Sequence, residues 1–331
     1  MRAAVLADVK KPLVIENRGQ PVPADGEVLV RLKAAALNRR DFWITQGLYP
    51  GIQTGVIQGS DGAGIVEAVG SVADDDWVGK EVVINPGLLW GDDPQVQSEQ
   101  FHILGMPADG TLAETIVVPT SAVFEKPVHL DWEQAAALPL AGVTAFRAVR
   151  RAGISEGSLV LINGIGGGVA LMAMQLSLAM DATVLVTSSS QEKIEQVVKL
   201  GATDGFRYTE SDWVKELERK YGLVDAVVDG AGGMGYRHLL QLAAPGGRIV
   251  NYGATAGPPE KIDLFKLFWK QLQLIGSTMG SPEDFREMLS FVCQHQITPV
   301  VDSVHALEDV NQALAILRDS SQFGKLVVSL V

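Results

Sequence analysis

The sequence predicts an α/β protein in two parts: a barrel-like all-β domain, then a doubly wound domain built on a parallel sheet. Two observations carry this. Up to about residue 120 the apolar residues fall in short, part-alternating runs separated by glycine and proline, the pattern of a compact β domain. From Ser158 onward, continuous Val/Ile/Leu runs alternate with helical segments, the pattern of a parallel sheet covered on both faces.

The first runs are Ala3 to Leu6, Leu13 to Glu16 and Glu27 to Ala34, with turns at Asn17-Arg18-Gly19 and Ala24-Asp25-Gly26. Ala63 to Val69, Glu81 to Ile84 and Leu112 to Val118 continue the series. Asp131 is placed to cap a helix through Gln134-Ala135-Ala136-Ala137. The alternating region then reads strand 159–163, helix 169–180, strand 183–187, helix 191–200 and a short strand near 206–208. Helix 212–220, strand 224–229, helix 236–243, strand 247–252 and strand 272–276 follow, and the tail adds helix 308–318 and strand 325–330.

Composition excludes several classes of function. The 331 residues are 47% hydrophobic, enough for two packed units. No stretch of eighteen uninterrupted apolar residues occurs, and Asp8, Lys10 and Lys11 interrupt the opening residues before a signal-peptide core can form; the expectation is a cytoplasmic protein without a membrane span. A net charge of −12, from 39 acidic and 27 basic residues, argues against nucleic acid as a partner. Cys293 is the single cysteine, and the five histidines show no ligand spacing, so no metal site is expected.

Two glycine clusters compete for a dinucleotide pyrophosphate. Gly230-Ala231-Gly232-Gly233-Met234-Gly235 satisfies G-x-G-x-x-G literally; Gly164-Ile165-Gly166-Gly167-Gly168-Val169-Ala170 reads as G-x-x-G-x-x-A. Context favours the first in the chain, because it follows the first strand of the alternating region and opens a long helix. In a sheet ordered 3-2-1-4-5-6 the second cluster follows the neighbouring strand and lines the nicotinamide half of the same crevice, with Tyr252-Gly253-Ala254 after the fifth strand. The second strand ends in Thr187-Ser188-Ser189-Ser190, with Lys193 one turn on and no carboxylate, which suits the 2′-phosphate of NADPH; the alternative is that the serines cap a helix and Lys193 is solvated.

These motifs resemble the zinc-independent quinone reductases of the medium-chain dehydrogenase/reductase superfamily along the whole chain. Leu161 to Ala170 is similar to that family's pyrophosphate loop, and Ala136-Ala137-Leu138-Pro139-Leu140-Ala141-Gly142-Val143-Thr144-Ala145 to the segment preceding its cofactor domain. Gly59-Ser60-Asp61-Gly62-Ala63-Gly64-Ile65-Val66 resembles the segment that begins Gly-His-Glu in zinc enzymes, with Ser60 at the metal-binding histidine. Asn38 stands where those enzymes have a cysteine ligand, and the lobe opening at Asn85-Pro86-Gly87 has no cysteines.

The resemblance implies a GroES-like β-barrel catalytic domain (1–122 and 296–331), a Rossmann domain (123–295) and homodimers paired through the sixth strand. It implies Asn38 and Tyr49 as substrate-pocket donors. Arg39 and Arg40 add positive charge close by, a departure from the family's pattern: one is placed to assist an enolate or quinol anion, the alternative being that both are surface or ion-pair residues, and Asp41 is a structural partner for that loop. Thr144, Gly164, Gly167, Gly168, Val169, Ser188, Ser189, Lys193, Tyr208, Gly230, Tyr252, Gly253 and Ala254 form the expected cofactor set. The expected activity is NADPH-dependent reduction of quinones or related electron-poor carbonyl compounds. Reduction of enones or 2-enoyl thioesters, or a low-turnover dinucleotide sensor, are the alternatives.

Overall fold

The computed structural model describes the backbone of residues 1–331 and every side chain except those of 72–74. It divides into two compact units, Met1–Val143 with Gly280–Val331, and Thr144–Met279. This corrects the expected boundaries at 122/123 and 295/296. Those boundaries put the helices Trp132–Ala137 and Pro282–His295 in the dinucleotide domain. Instead the first packs on strands Glu27–Ala36 and Asp61–Val69, and Phe285 of the second meets Phe124 at 4.9 Å between ring centres. Burial of these apolar faces, not position along the chain, sets the division.

In the first unit a seven-stranded sheet runs Val301–Ala306, Lys325–Ser329, Glu27–Ala36, Asp61–Val69, Glu81–Ile84 and Val123–Glu125, with Thr115–Pro119 also on Glu27–Ala36. The hairpin Arg2–Val5 with Val14–Asn17 lies beside it. The tail strand Lys325–Ser329 pairs antiparallel to Glu27–Ala36, with Val327 opposite Ala36, and the Leu37 N–H donates to the Leu326 carbonyl. That register carries Lys325 to the level of Asn38. Pattern reading does not anticipate strand Val301–Ala306, whose side chains alternate half-buried and exposed, or the short helix Arg39–Thr45.

The second unit is a six-stranded parallel sheet in the order Asp204–Arg207, Thr183–Ser188, Leu159–Asn163, Val224–Asp229, Ala243–Asn251, Gln273–Gly276, which is the expected 3-2-1-4-5-6 arrangement. Its central strands bury Val160, Leu161, Ile162, Val184, Leu185, Val186, Val227 and Val228 completely, as a sheet covered on both faces requires. The strand order reverses between Leu159–Asn163 and Val224–Asp229, so the loops after Asn163 and Asp229 stand side by side at the carboxyl edge. Among the described residues, no helix is long and apolar enough to cross a membrane.

Candidate active site

The loop after Asn163 is shaped for a close-approaching anion. Gly164 and Gly166 have φ of +76° and +127°, backbone that side-chain-bearing residues rarely adopt. Gly167 is the N-cap of helix Gly168–Ala179; no side chain caps this end, and its first turn holds no acidic residue. Uncapped amides and the helix dipole make this end attractive to phosphate. The loop is anchored through Thr187, whose hydroxyl accepts from the Gly164 N–H at 2.9 Å and whose carbonyl accepts from Ile165 at 2.8 Å. Lys193 lies across it: a β-carbon on Gly166 would meet Lys193 Cδ at 2.9 Å and Nζ at 3.4 Å. A β-carbon on Gly164 would reach Ala231 at 3.7 Å, so the two glycine loops face each other.

The literal G-x-G-x-x-G loop is in a different condition. Asp229, fully buried, accepts from the Ala231 N–H at 2.9 Å and the Gly232 N–H at 3.1 Å. Two amides of this loop are therefore already occupied by the protein's own carboxylate, which would also repel a phosphate. Gly230 is required for packing: a β-carbon there would lie 2.4 Å from the Tyr252 ring. The Gly230 carbonyl accepts from Thr255 N–H, and Ala256 N–H donates to Ala231, so Gly230, Tyr252, Gly253 and Ala254 form one joined surface. Burial and the Asp229 charge push the Tyr252 phenol well above its ordinary range and that of Tyr236 up to about 12.

At the tip of the second strand the serines divide their roles. Ser190 accepts from the Lys193 N–H and caps helix Gln191–Lys199, the Ser188 hydroxyl accepts from the Ser190 N–H and is buried, and Ser189 is exposed. The Lys193 side chain lies alongside Gly166 of the pyrophosphate loop. Arg207 pairs in register with Ser188, Tyr208 N–H donates to the Ser188 carbonyl, and Arg207 Nη1 stands 3.4 Å from Glu210. Arg207 is a residue that pattern reading missed. Thr144 is buried with its hydroxyl facing Met279 Sδ at 3.8 Å.

In the first unit Asn38 is enclosed. Its amide donates to Asp61 Oδ2 at 2.8 Å and Ser60 Oγ at 3.2 Å and accepts from Lys325 Nζ at 2.7 Å. Lys325 also bonds Asp61 Oδ2 at 2.7 Å, and Asp61 Oδ1 accepts from the Leu140 N–H at 2.8 Å. Both amide hydrogens of Asn38 are engaged, so it does not supply the outward donor expected of it. Arg39 is likewise consumed, bonding the Leu317 carbonyl and Ser320 at the end of helix Val310–Asp319.

Arg40 differs. Its guanidinium lies 4.9 Å from the Tyr49 ring centre, donates from Nε to the Tyr49 hydroxyl at 3.3 Å and from Nη1 to the Leu104 carbonyl at 2.7 Å. The side chain is 8% exposed, and among the described residues its Nη2 has no hydrogen-bond partner. Asp41 beside it accepts from the Asn38 N–H at 2.7 Å; burial pushes this carboxyl up to about 6 against the opposing pull of Arg40.

Two family models match this chain: an alcohol dehydrogenase GroES-like domain over residues 24–128 and a zinc-binding dehydrogenase over residues 168–294. A zinc-type alcohol dehydrogenase-like protein, YogA of Leptosphaeria maculans, is 38% identical, with 96% of this chain and 95% of that protein covered. This chain belongs to the medium-chain dehydrogenase/reductase family. It is an NAD(P)-dependent oxidoreductase. Its barrel and doubly wound units are the GroES-like and Rossmann domains of that family. An acryloyl-coenzyme A reductase of Sulfurisphaera tokodaii is 29% identical over 99% of both chains. A crystal structure of an NAD-dependent alcohol dehydrogenase superposes with a TM-score of 0.93 at 36% identity, covering 99% of each chain.

Proposed function

We propose that this medium-chain reductase transfers hydride from NADPH, without zinc, to a double bond conjugated to a carbonyl, with 2-enoyl thioesters and enones as the substrate class. The observation that carries the reading is Arg40, a buried guanidinium with one unpartnered Nη2 beside the Tyr49 hydroxyl. A buried donor without a partner is costly, and an oxygen acquiring negative charge is the acceptor that satisfies it. Gly164–Ala170 would hold the dinucleotide, which would supply the hydride. Arg40 and Tyr49 then hold the charge that moves to the substrate's carbonyl oxygen as its β-carbon is reduced.

The residues at the family's zinc position do not fit the metal. They are an amide, a hydroxyl and a carboxylate already bonded to an ammonium at 2.7 Å, and that ammonium would repel a dication. Among the described residues, no group of three His, Cys, Asp or Glu side chains is placed to hold a metal ion. The acryloyl-coenzyme A reductase among the relatives favours a conjugated C=C over a quinone. NADPH is favoured by the second strand's carboxylate-free tip at Ser188-Ser189, with Arg207 alongside.

The test is NADPH and NADH oxidation measured with an enoyl thioester, an enone, a quinone and an aldehyde. Arg40→Met should lower kcat/KM on the preferred acceptor roughly a hundredfold with cofactor affinity kept. Unchanged turnover removes Arg40 from the chemistry; preference for the quinone overturns the substrate class; no oxidation of either cofactor leaves the sensor reading.

We also propose a homodimer through the edge strand Gln273–Gly276. Among the described residues its outer side has no partner strand, and the adjoining helix Leu264–Trp269 exposes Leu264, Phe265, Phe268 and Trp269. Phe265→Ser with Trp269→Ser should yield a monomer by analytical ultracentrifugation. A wild-type monomer refutes the assignment.

A further inference from the structure

Asp229 is an electrical anomaly. It is 0% exposed, and both oxygens accept two hydrogen bonds: Oδ1 from Asn163 Nδ2 and Ala231 N–H, Oδ2 from Asn251 Nδ2 and Gly232 N–H. All four donors are neutral. The other fully buried carboxylate at a candidate site, Asp61, has Lys325 at 2.7 Å; among the described residues, no cation pairs with Asp229. Buried charges are ordinarily matched by an opposite charge, because hydrogen bonds from neutral groups only partly replace the lost solvation.

The surrounding network keeps Asp229 an acceptor. Asn163 Oδ1 takes the Thr187 hydroxyl proton at 2.6 Å and Asn251 Oδ1 takes that of Tyr236 at 2.7 Å. Each amide therefore turns its NH2 toward Asp229. The belt Thr187–Asn163–Asp229–Asn251–Tyr236 spans the carboxyl ends of four adjacent strands, with every donor directed inward. Burial first, and the Asp229 charge second, push the Tyr236 and Tyr252 phenols upward.

Asp229 lies directly beneath the second glycine loop and the Tyr252–Ala254 segment. With the pyrophosphate on the first loop, this is the nicotinamide half of the crevice. A dinucleotide that has given up its hydride differs from the reduced form by one positive charge on that ring. We propose that Asp229 is the fixed counter-charge for the oxidised nicotinamide, binding the cationic form more tightly than the neutral donor and so shifting the hydride-transfer equilibrium within the bound complex toward reduced substrate. The inference rests on the cofactor reading above and adds a positioning and charge-balancing residue to it.

The test compares dissociation constants of NADP+, NADPH and 2′-phospho-ADP-ribose, which lacks the nicotinamide, in the wild type and in Asp229→Asn. Loss of the charge should weaken NADP+ about tenfold relative to NADPH, the order expected of a buried charge acting on a nearby cation, and leave phospho-ADP-ribose unchanged. Equal weakening of all three ligands would reduce Asp229 to a loop scaffold, and an unchanged NADP+/NADPH ratio would also overturn the proposal. Asp229→Ser, which removes the same charge in a smaller side chain, gives the same reading if the Asn variant does not fold. Failure of phospho-ADP-ribose to bind the wild type would sink the cofactor reading itself and is distinct from either result.

Discussion

The two glycine loops stand side by side at one sheet edge, and they differ in what their leading amides already bond. Gly164–Ala170 opens a helix whose first turn no side chain caps. Gly230–Gly235 matches the consensus letter for letter, yet Asp229 occupies the Ala231 and Gly232 amides. Phosphate binding depends on unclaimed N–H groups, and a glycine pattern does not report whether they are claimed. The carboxylate that closes the second loop to phosphate leaves it suited to a cation.

The contrast can be broken most severely at Gly166. Its φ of +127° is one that side-chain-bearing residues rarely adopt, and a side chain there would also displace Lys193, so Gly166→Val should weaken dinucleotide binding by about a hundredfold or more, measured by titration calorimetry. Retained affinity would move the pyrophosphate off this loop.

Asp41 sharpens the comparison of carboxylates that cap backbone donors. Unlike Asp229, it has one oxygen, Oδ1, without a hydrogen-bond partner, and its carboxyl is raised from 3.8 to about 6. A raised carboxyl means the folded state holds its proton to higher pH than the unfolded chain, so this contribution to stability falls as pH rises from about 4 to 6. Relative to Asp41→Asn, the wild type should lose on the order of 2 kcal/mol across that window in urea titrations. A difference independent of pH would refute the assignment.

Lys193 distinguishes pyrophosphate from 2′-phosphate. Because it lies across Gly166, Lys193→Met should weaken NADH and NADPH alike, by about tenfold each. A loss confined to NADPH would return it to the strand tip. The smallest effect belongs to Gly235, the last glycine of the literal motif. It has φ of −66°, and a β-carbon added there would have no neighbouring atom within 4 Å, so Gly235→Ala should change cofactor affinity less than about twofold.

Local signals made much of this legible. Strand Leu159–Asn163, the helix after it and the six-stranded order follow from apolar periodicity and glycine placement, because the period of a sequence reports which faces are buried. Helix Pro282–His295 carries its own start signal, Ser281-Pro282-Glu283-Asp284, in which Ser281 accepts from the Asp284 N–H; apolar periodicity alone does not pick it out. Strand Val301–Ala306 has weaker cues, since its alternation is only between half-buried and exposed positions.

The candidate site was legible by position and much less so by role. The residue types around Asn38 and the first glycine loop pointed to zinc-free dinucleotide chemistry. Which of those residues still had a free hydrogen-bonding group was decided by contacts between distant segments. Lys325 reaches Asn38 and Asp61 across more than 260 positions because a tail strand pairs with Glu27–Ala36. Asp229 meets Asn163 and Asn251 because parallel strands align their carboxyl ends. The sequence alone determined the two-part architecture and the strand order of the second unit, both of which follow from local periodicity and glycine placement. Only the tertiary structure decided that Asn38 and Arg39 are spent, that Arg40 keeps an open N–H and that Asp229 stands without a cation. Hydrogen-bond satisfaction is a property of the packed neighbourhood, not of the chain.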